Sequence, residues 1–368
     1  MSLIIDGTNG VTFNDSSLQG AAASPYVLKN RIINGAMVID QRNAGASTTP
    51  TASGYTLDRW RAGLSVTSKF SVQQSSTAPT GFNNSLLVTS LSSYTVGSGE
   101  QFTIAQRIEG YNLADLGWGT ANAKTITISF WVRSSLTGTF GGALRNNAND
   151  RSYPFTYTIS AANTWEQKTL TIAGCTDGTW ETTNGIGVIV SFALAVGSTL
   201  LGTSGAWAST DYIGATGQTQ ILAINGATLY ITGVQLEVGS TATPFERRLY
   251  NQELANCQRY YHRITPAAAM FGSAFVVTST QARSVIPFPV TMRIAPTALE
   301  QTGTASNYGV FFNNTLTTCS AVPTFSASTT LSAQTTLTVA SGLTGGQAGN
   351  FYDNSPSSNA YLAWSAEL

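Results

Sequence analysis

Residues 187–196 read GVIVSFALAV and residues 125–132 read TITISFWV, and these two runs decide the fold. Both are rich in β-branched and aromatic side chains, alternate with period two, and lie next to Gly- or Asn-rich stretches, as strands do. Working outward, the same pattern recurs at 55–62 (YTLDRWRA), 69–73 (KFSVQ), 85–91 (SLLVTSL) and 101–108 (QFTIAQRI). It returns at 153–159 (YPFTYTI), 165–172 (WEQKTLTI) and 228–236 (TLYITGVQL). Turn-like stretches such as LTGTF, NNAND, TTNG and AING separate the runs. Many short strands punctuated by turns predict an all-β fold, an antiparallel jelly-roll sandwich rather than a parallel α/β sheet.

Composition narrows the function. The 368 residues carry 18 Lys+Arg against 18 Asp+Glu, and charged residues make up only 10%. Thr (52) and Ser (39) together supply about a quarter of the chain, so hydroxyls carry most of the polarity. Phosphate neutralisation needs clustered Lys and Arg, and no basic run exceeds two residues, so a nucleic-acid partner is not expected. No apolar stretch approaches the roughly 20 residues of a membrane span, and MSLIIDGTNG lacks the basic start and apolar core of a signal peptide. Cys175, Cys257 and Cys319 are too far apart for a CxxC pair and read as buried free thiols.

Two stretches break the strand pattern. Residues 111–117 (YNLADLG) suit a short helical turn. Residues 245–261 (FERRLYNQELANCQRYY) follow Pro244 and hold no internal Gly or Pro, which predicts a helix. Its Tyr250, Leu254, Cys257 and Tyr261 are spaced four, three and four apart, the seam of helices that pack on partner helices. Beyond it, no Lys or Arg follows Arg293, and Ser/Thr runs dominate a smaller β-domain. The expected organisation is therefore an N-terminal segment at 1–28, a jelly roll at 29–244, a helical connector at 245–264 and a C-terminal β-domain at 265–368.

Several motifs occur in the order of one family. The segment 30–42 (NRIINGAMVIDQR), then 55–61 (YTLDRWR), 128–134 (ISFWVRS), 229–237 (LYITGVQLE), 242–248 (ATPFERR) and 257–261 (CQRYY), resembles a domain common in bacteriophage tail-fibre and receptor-binding proteins. The stretch 5–13 (IDGTNGVTF) is similar to particle-attachment segments of such fibres, and 360–368 (AYLAWSAEL) to a fibre C-terminus. The resemblance implies a jelly roll like that of carbohydrate-binding modules, a homotrimer located in the virion tail and assembled in the host cytoplasm, and a host surface polysaccharide as ligand. It also implies a tail or baseplate partner for residues 1–24, where the alternating Leu3, Ile5, Val11 and Phe13 suit strand addition.

Glycan binding needs aromatic faces for sugar rings and polar groups for their hydroxyls. Trp118, Trp180, Trp207 and Tyr212 lie in loop-like contexts (GWGT, DGTWETT, GAWAST and STDYIG), with Asp177, Glu181 and Asp211 near them in sequence. They are the candidate glycan-binding residues. The bland alternative is that each Trp closes the end of the sandwich, while Trp60 and Trp131 occupy strand positions and read as core or sheet packing. Asp6, Asp40 and Asp150 are loop carboxylates without a repeated ligand spacing, so no metal or other cofactor is expected. The sole imidazole, His262, would end the helix beside two tyrosines, in a capping or packing role. GxSxG is absent, and Asp177 with Glu181 would make a glycosidase pair only if they flanked one cleft. The expectation is a non-enzymatic receptor-binding protein. The alternatives are a purely structural baseplate or neck decoration protein and a glycan-cleaving tailspike.

Overall fold

The computed structural model describes residues 4–6, 10–12, 18–19, 29–266, 268–355 and 360–368. The chain is almost entirely β-structure. Three short N-terminal strands, β1 (Ile4–Asp6), β2 (Gly10–Thr12) and β3 (Leu18–Gln19), pair antiparallel. The rest of the expected attachment segment 1–24 lies outside the described residues.

The sandwich is built from β4 (Gly54–Leu57), β5 (Trp60–Leu64), β6 (Phe70–Ser75), β7 (Ser85–Ser90) and β8 (Gln101–Glu109). It continues with β9 (Ile126–Ser134), β10 (Gly138–Arg145), β11 (Ser152–Ile159), β12 (Glu166–Ile172) and β13 (Ile186–Val196). A short parallel pair, β14 (Leu201–Gly202) and β15 (Gly214–Ala215), precedes β16 (Thr228–Val238). One sheet has the order β11-β10-β13-β8-β5-β4 and the other β12-β9-β16-β7-β6. Alternate residues of both sheets meet in one core, where Phe130 of β9 packs edge-on to Phe192 of β13 at 5.0 Å. Burial of each such aromatic stabilises the fold by about 1.5–3 kcal/mol. Trp60 is also fully buried in this core.

Stretch 55–62 is a hairpin rather than one strand. Asp58 and Arg59 make its turn, with Arg59 at φ 67°. Strand β10 (GTFGGALR) arises where the glycines suggest a loop. Its Gly142 is required by close approach, because a Cβ there would stand 2.1 Å from the Ser191 carbonyl oxygen.

The helix α1 spans only Tyr250–Gln258, shorter than its sequence pattern. Residues before it stay extended because their polar groups latch onto the chain near residue 30. Glu246 accepts from the Asn30 backbone N–H, and Arg248 donates to the carbonyls of Asn30 and Ile32. The proposed seam of Tyr250, Leu254, Cys257 and Tyr261 is therefore not one helical stripe. Tyr250 is 61% exposed, Cys257 is buried against its own chain, and Tyr261 lies in the strand after the helix. The face that α1 buries carries Glu253 and Cys257, and Glu253 accepts from the Asn34 N–H and from Arg248.

That strand is β17 (Tyr261–Ile264), and a barrel follows: β18 (Met270–Val276), β19 (Gln281–Pro287), β20 (Glu300–Gln301), β21 (Tyr308–Phe312), β22 (Thr315–Ser328), β23 (Ser332–Val339), β24 (Ala348–Asp353) and β25 (Leu362–Ser365). Six of them close in the order β18-β19-β23-β22-β21-β24 around a second core. Strands β17, β25 and β20 form a small sheet beside it. His262 sits in β17, not at a helix end, stacked on Trp364 at 6.2 Å and edge-on to Phe288 at 6.0 Å.

Candidate functional site

Three of the four loop aromatics converge. The ring centroids of Trp118 and Trp180 lie 4.8 Å apart, those of Trp118 and Trp207 5.4 Å, and those of Trp180 and Trp207 5.5 Å, all edge-to-face. Tyr153 of β11 packs on Trp207 at 5.3 Å. Each indole N–H donates to a backbone carbonyl, those of Lys124, Asp177 and Ala173 respectively. The cluster closes one end of the sandwich core, and a cavity of about 190 Å³ beside it is lined by Trp118, Trp180, Glu181, Thr120 and Thr182 among others.

The carboxylates are engaged. Asp177 accepts both Nε and Nη2 of Arg151 at 2.7 Å, and this hydrogen-bonded ion pair holds it down at about 2. Glu181 accepts from the Thr183 backbone and hydroxyl, which also lowers it. Asp211 accepts from Nη1 of Arg145 at 3.0 Å. Asp40 and Asp150 serve local turns through Asn43 and Asn146. Among the described residues no group of three or more His, Cys, Asp or Glu is placed to hold a metal ion.

Tyr212 stands apart from the tryptophans, and its position reveals a second feature. Residues 197–220 leave β13, run along the edge of β11 through a backbone bridge between Ala208 and Ser152, and fold back over the outer face of the six-stranded sheet. The Tyr212 ring crosses Gly202 so closely that a Cβ there would meet it at 2.4 Å. Ile213 packs on the outward side chains of Ala193 and Val196, and Gln218 lies across Gly141, whose Cβ would stand 2.3 Å from its Oε1. The Asp211–Arg145 pair pins this loop to β10, and Trp207 roots it in the aromatic cluster.

Register fixes what shares that outer face. Directly opposed residues point to the same side, so Tyr55, Arg61, Ala105, Ser191 and Ala143 form one row across β4, β5, β8, β13 and β10. The next row is Arg107, Ile189 and Arg145. The floor is small and partly roofed by the loop, and half-buried Arg61 and Arg107 border its open side. Several buried polar atoms on this face or on the loop over it have no hydrogen-bond partner among the described residues: Ser191 Oγ, Gln218 Nε2 and Arg145 Nε. Burial, with Arg107 and Arg145 nearby, lowers the proton affinity of the Arg61 guanidinium. Sequence reading placed 55–62 and 101–108 in strands but missed these arginines, because a sheet face is set by non-local register. The alternation of Arg61 with buried Trp60 and Ala62 was the available signal.

No family model and no curated protein matches this chain. Solved structures do. The chain is similar to the enzymatically active domain of bacteriophage CBA120 tailspike protein 4 (14% identity, TM-score 0.30), with 60% of this chain and 22% of that one covered. It is also similar to a putative sugar binding protein from Bacteroides thetaiotaomicron (10%, TM-score 0.35, 57% and 100% covered). A third is TmCBM61 in complex with β-1,4-galactotriose (8%, TM-score 0.28, 58% and 100% covered). The chain spans about a fifth of the tailspike chain. At these identities the likeness is one of fold alone.

Proposed function

We propose that this chain is a non-catalytic, glycan-recognising receptor-binding protein of a bacteriophage tail, attached to the particle through residues 1–24 and binding sugar on the outer face of the six-stranded sheet. The observation that carries the reading is a sheet face roofed by a loop, with buried polar groups left without a partner among the described residues where loop and face meet. Ser191 Oγ and Arg145 Nε on the face and Gln218 Nε2 on the loop over it are buried and have no hydrogen-bond partner among the described residues. Buried polar groups are normally satisfied, and ordered water beneath the loop can bridge them to a polyhydroxylated ligand at its open side. The loop carrying Trp207, Asp211 and Tyr212 walls this face, so the aromatic candidates act by holding the wall in place.

The non-catalytic part of the reading rests on the state of the acids. A glycosidase general acid needs a raised pKa beside a second free carboxylate. Asp177 is instead held low in an ion pair, and Glu181 is lowered by its own turn. His262 is stacked on Trp364 and edge-on to Phe288.

The experiment measures retention of the purified chain on immobilised host surface polysaccharide, together with release of reducing ends. The expected result is binding without release, weakened by Asp211→Ala, which frees the loop from Arg145. Reducing-end release by the parent chain would sink the non-catalytic reading, and unaltered binding by Asp211→Ala would sink the placement on this face.

A further inference from the structure

The C-terminal barrel carries a surface feature that its own core does not use. Val310 and Phe351 are buried in that core, so their chain neighbours on β21 and β24 point outward. Register sets two rows on the outer face. One runs Ser273, Asn350, Phe311 and Leu316 across β18, β24, β21 and β22. The other runs Met270, Tyr352, Gly309 and Thr318 across the same strands. Phe311 and Tyr352 are diagonal neighbours, with ring centroids 6.3 Å apart and planes tilted by 39°.

Gly309 leaves a gap between Tyr352 and Thr318, and Leu316 leans over it, since a Cβ on Gly309 would meet its Cδ1 at 2.8 Å. The result is a cleft of about 410 Å³ lined by Ala269, Met270, Phe311, Leu316, Asn350 and Tyr352, all uncharged. That volume falls among small-ligand pockets, about 300–1,000 Å³. Met270 and Phe311 are exposed, so the cleft opens to solvent. Asp353, next to Tyr352 in sequence, is buried on the inner side and lends this surface no charge. Polar groups stand beside the rings at fixed places. Asn350 lies directly opposite Phe311, and Thr318 Oγ1 accepts from Asn354 Nδ2 at 3.2 Å, which leaves its own proton to donate. The Tyr352 ring is held by the bond its hydroxyl donates to the Ala268 carbonyl at 2.9 Å.

We infer that this cleft is a second saccharide subsite, on the barrel, and that it takes a neutral pyranose unit. It stands on observations independent of the six-stranded sheet. The C–H face of a pyranose lies against the Phe311 and Tyr352 rings, and hydroxyls at its edge reach Asn350 and Thr318. An acyl chain or an apolar side chain would cover the same rings but strip water from the amide and the hydroxyl without replacing those hydrogen bonds. The uncharged lining offers an acidic sugar no counter-charge for the water it would lose, and a neutral one needs none.

Saturation-transfer NMR and calorimetric titration of the full chain with galactan, dextran and cello-oligomers, beside oligogalacturonate, test the site. Asp211→Ala isolates the barrel from the sheet face. In that variant a neutral oligomer should still bind, with saturation passing from aromatic protons to its ring C–H protons. Adding Phe311→Ala should weaken that binding about tenfold, the scale of one lost ring contact, and Phe311→Trp should keep it. Asn350→Ala should weaken it too, with an unfolding midpoint equal to the parent's. Binding that Asp211→Ala abolishes and Phe311→Ala leaves untouched overturns the barrel site and leaves the sheet reading standing. The reverse pattern supports the barrel site and removes the placement on the sheet. A preference for oligogalacturonate that Phe311→Ala removes overturns the neutral assignment. An oligomeric state altered by Phe311→Ala makes the cleft a contact between copies and overturns the site, and a parent chain that binds no oligomer overturns both readings.

Discussion

Arg59 and Glu367 form a buried ion pair that joins the sandwich to the end of the chain. Arg59 is 1% exposed, stacks on the Tyr260 ring at 3.6 Å and also donates to the Arg107 carbonyl. Glu367 follows β25 and is gripped on its other oxygen by Arg42 at 3.1 Å. Arg293 donates to the carbonyls of Ala366 and Glu367, so the residues after β25 are held by Arg293 as well as by Arg59 in the turn of the β4–β5 hairpin. The two hydrophobic cores are therefore coupled by charge as well as by the β17–β25 ladder.

Glu367→Gln leaves the Arg59 charge buried with only a neutral partner. Removing one member of a buried pair costs about 3–5 kcal/mol. Urea unfolding followed by tryptophan fluorescence should show that loss, with the single transition splitting as the barrel region releases first. A change below 1 kcal/mol would mean that Tyr260 and the Arg107 carbonyl hold the guanidinium unaided.

The strands were legible because alternation is a local signal, and the sandwich follows from Phe130 and Phe192 standing in runs that alternate. Other features were not. Strand β10 hides behind Gly141 and Gly142, whose lack of side chains is imposed by Gln218 and Ser191, residues far away in sequence. The 14-residue strand β22 (TLTTCSAVPTFSAS) shows little apolar alternation, because much of it is exposed and paired on the barrel surface. The convergence of Trp118, Trp180 and Trp207 and the row of Arg61 with Ser191 are tertiary facts that no window of sequence contains. The helix was over-read at both ends, since charge latches at Glu246 and Arg248 and the ladder of Tyr261 with Ser365 override propensity.

Acid pH should expose two opposed titrations. Burial holds His262 down at about 4, so between 6.5 and 4 the unfolded chain takes up the proton first and stability falls as pH falls. Burial raises Asp58 to about 6, despite Arg42 and the Gln41 hydrogen bonds, so between 6 and 3.8 the folded chain takes up the proton first and stability rises. The two nearly cancel in the parent. Asp58→Asn should therefore lose stability between pH 6.5 and 4.5 relative to the parent, by up to about 2 kcal/mol, and His262→Phe should gain it. Urea midpoints at the two pH values measure this, and parallel profiles for all three proteins would refute the assignment.

Trp207→Ala tests the rooting of the sheet-covering loop. The indole loses contacts with Trp118, Trp180 and Tyr153 and a hydrogen bond to Ala173. A loss of about 2–4 kcal/mol is expected for a partly buried tryptophan in such a cluster. Limited proteolysis should then cut within 203–210 first, while the sheets remain protected. Cleavage spread evenly over the chain would show that the tryptophans hold the sandwich end and not the loop in particular.

The homotrimer, proposed here from the tail-fibre resemblance, needs a different contact from the helical seam first expected. Cys257 and Glu253 face inward, and Tyr261 belongs to a strand, which leaves the start of α1 as its free apolar surface. Leu249 is 80% exposed and Tyr250 61%, side by side, and a single helix of nine residues is too short to assemble alone. Closed rotational symmetry would bring three such corners together, with additional area from the charge-poor barrel, whose Phe275 and Val285 are each 55% exposed. Native mass spectrometry at micromolar concentration should give a trimer, and Leu249→Asp with Tyr250→Asp should convert it to monomer with an unchanged unfolding midpoint per chain, since neither side chain supports its own fold. Leu254→Asp, half-buried against its own chain, should instead lower the midpoint. A trimer that survives the double substitution moves the contact to the barrel, where Phe275→Asp becomes the deciding variant; a parent chain that is monomeric removes the proposal.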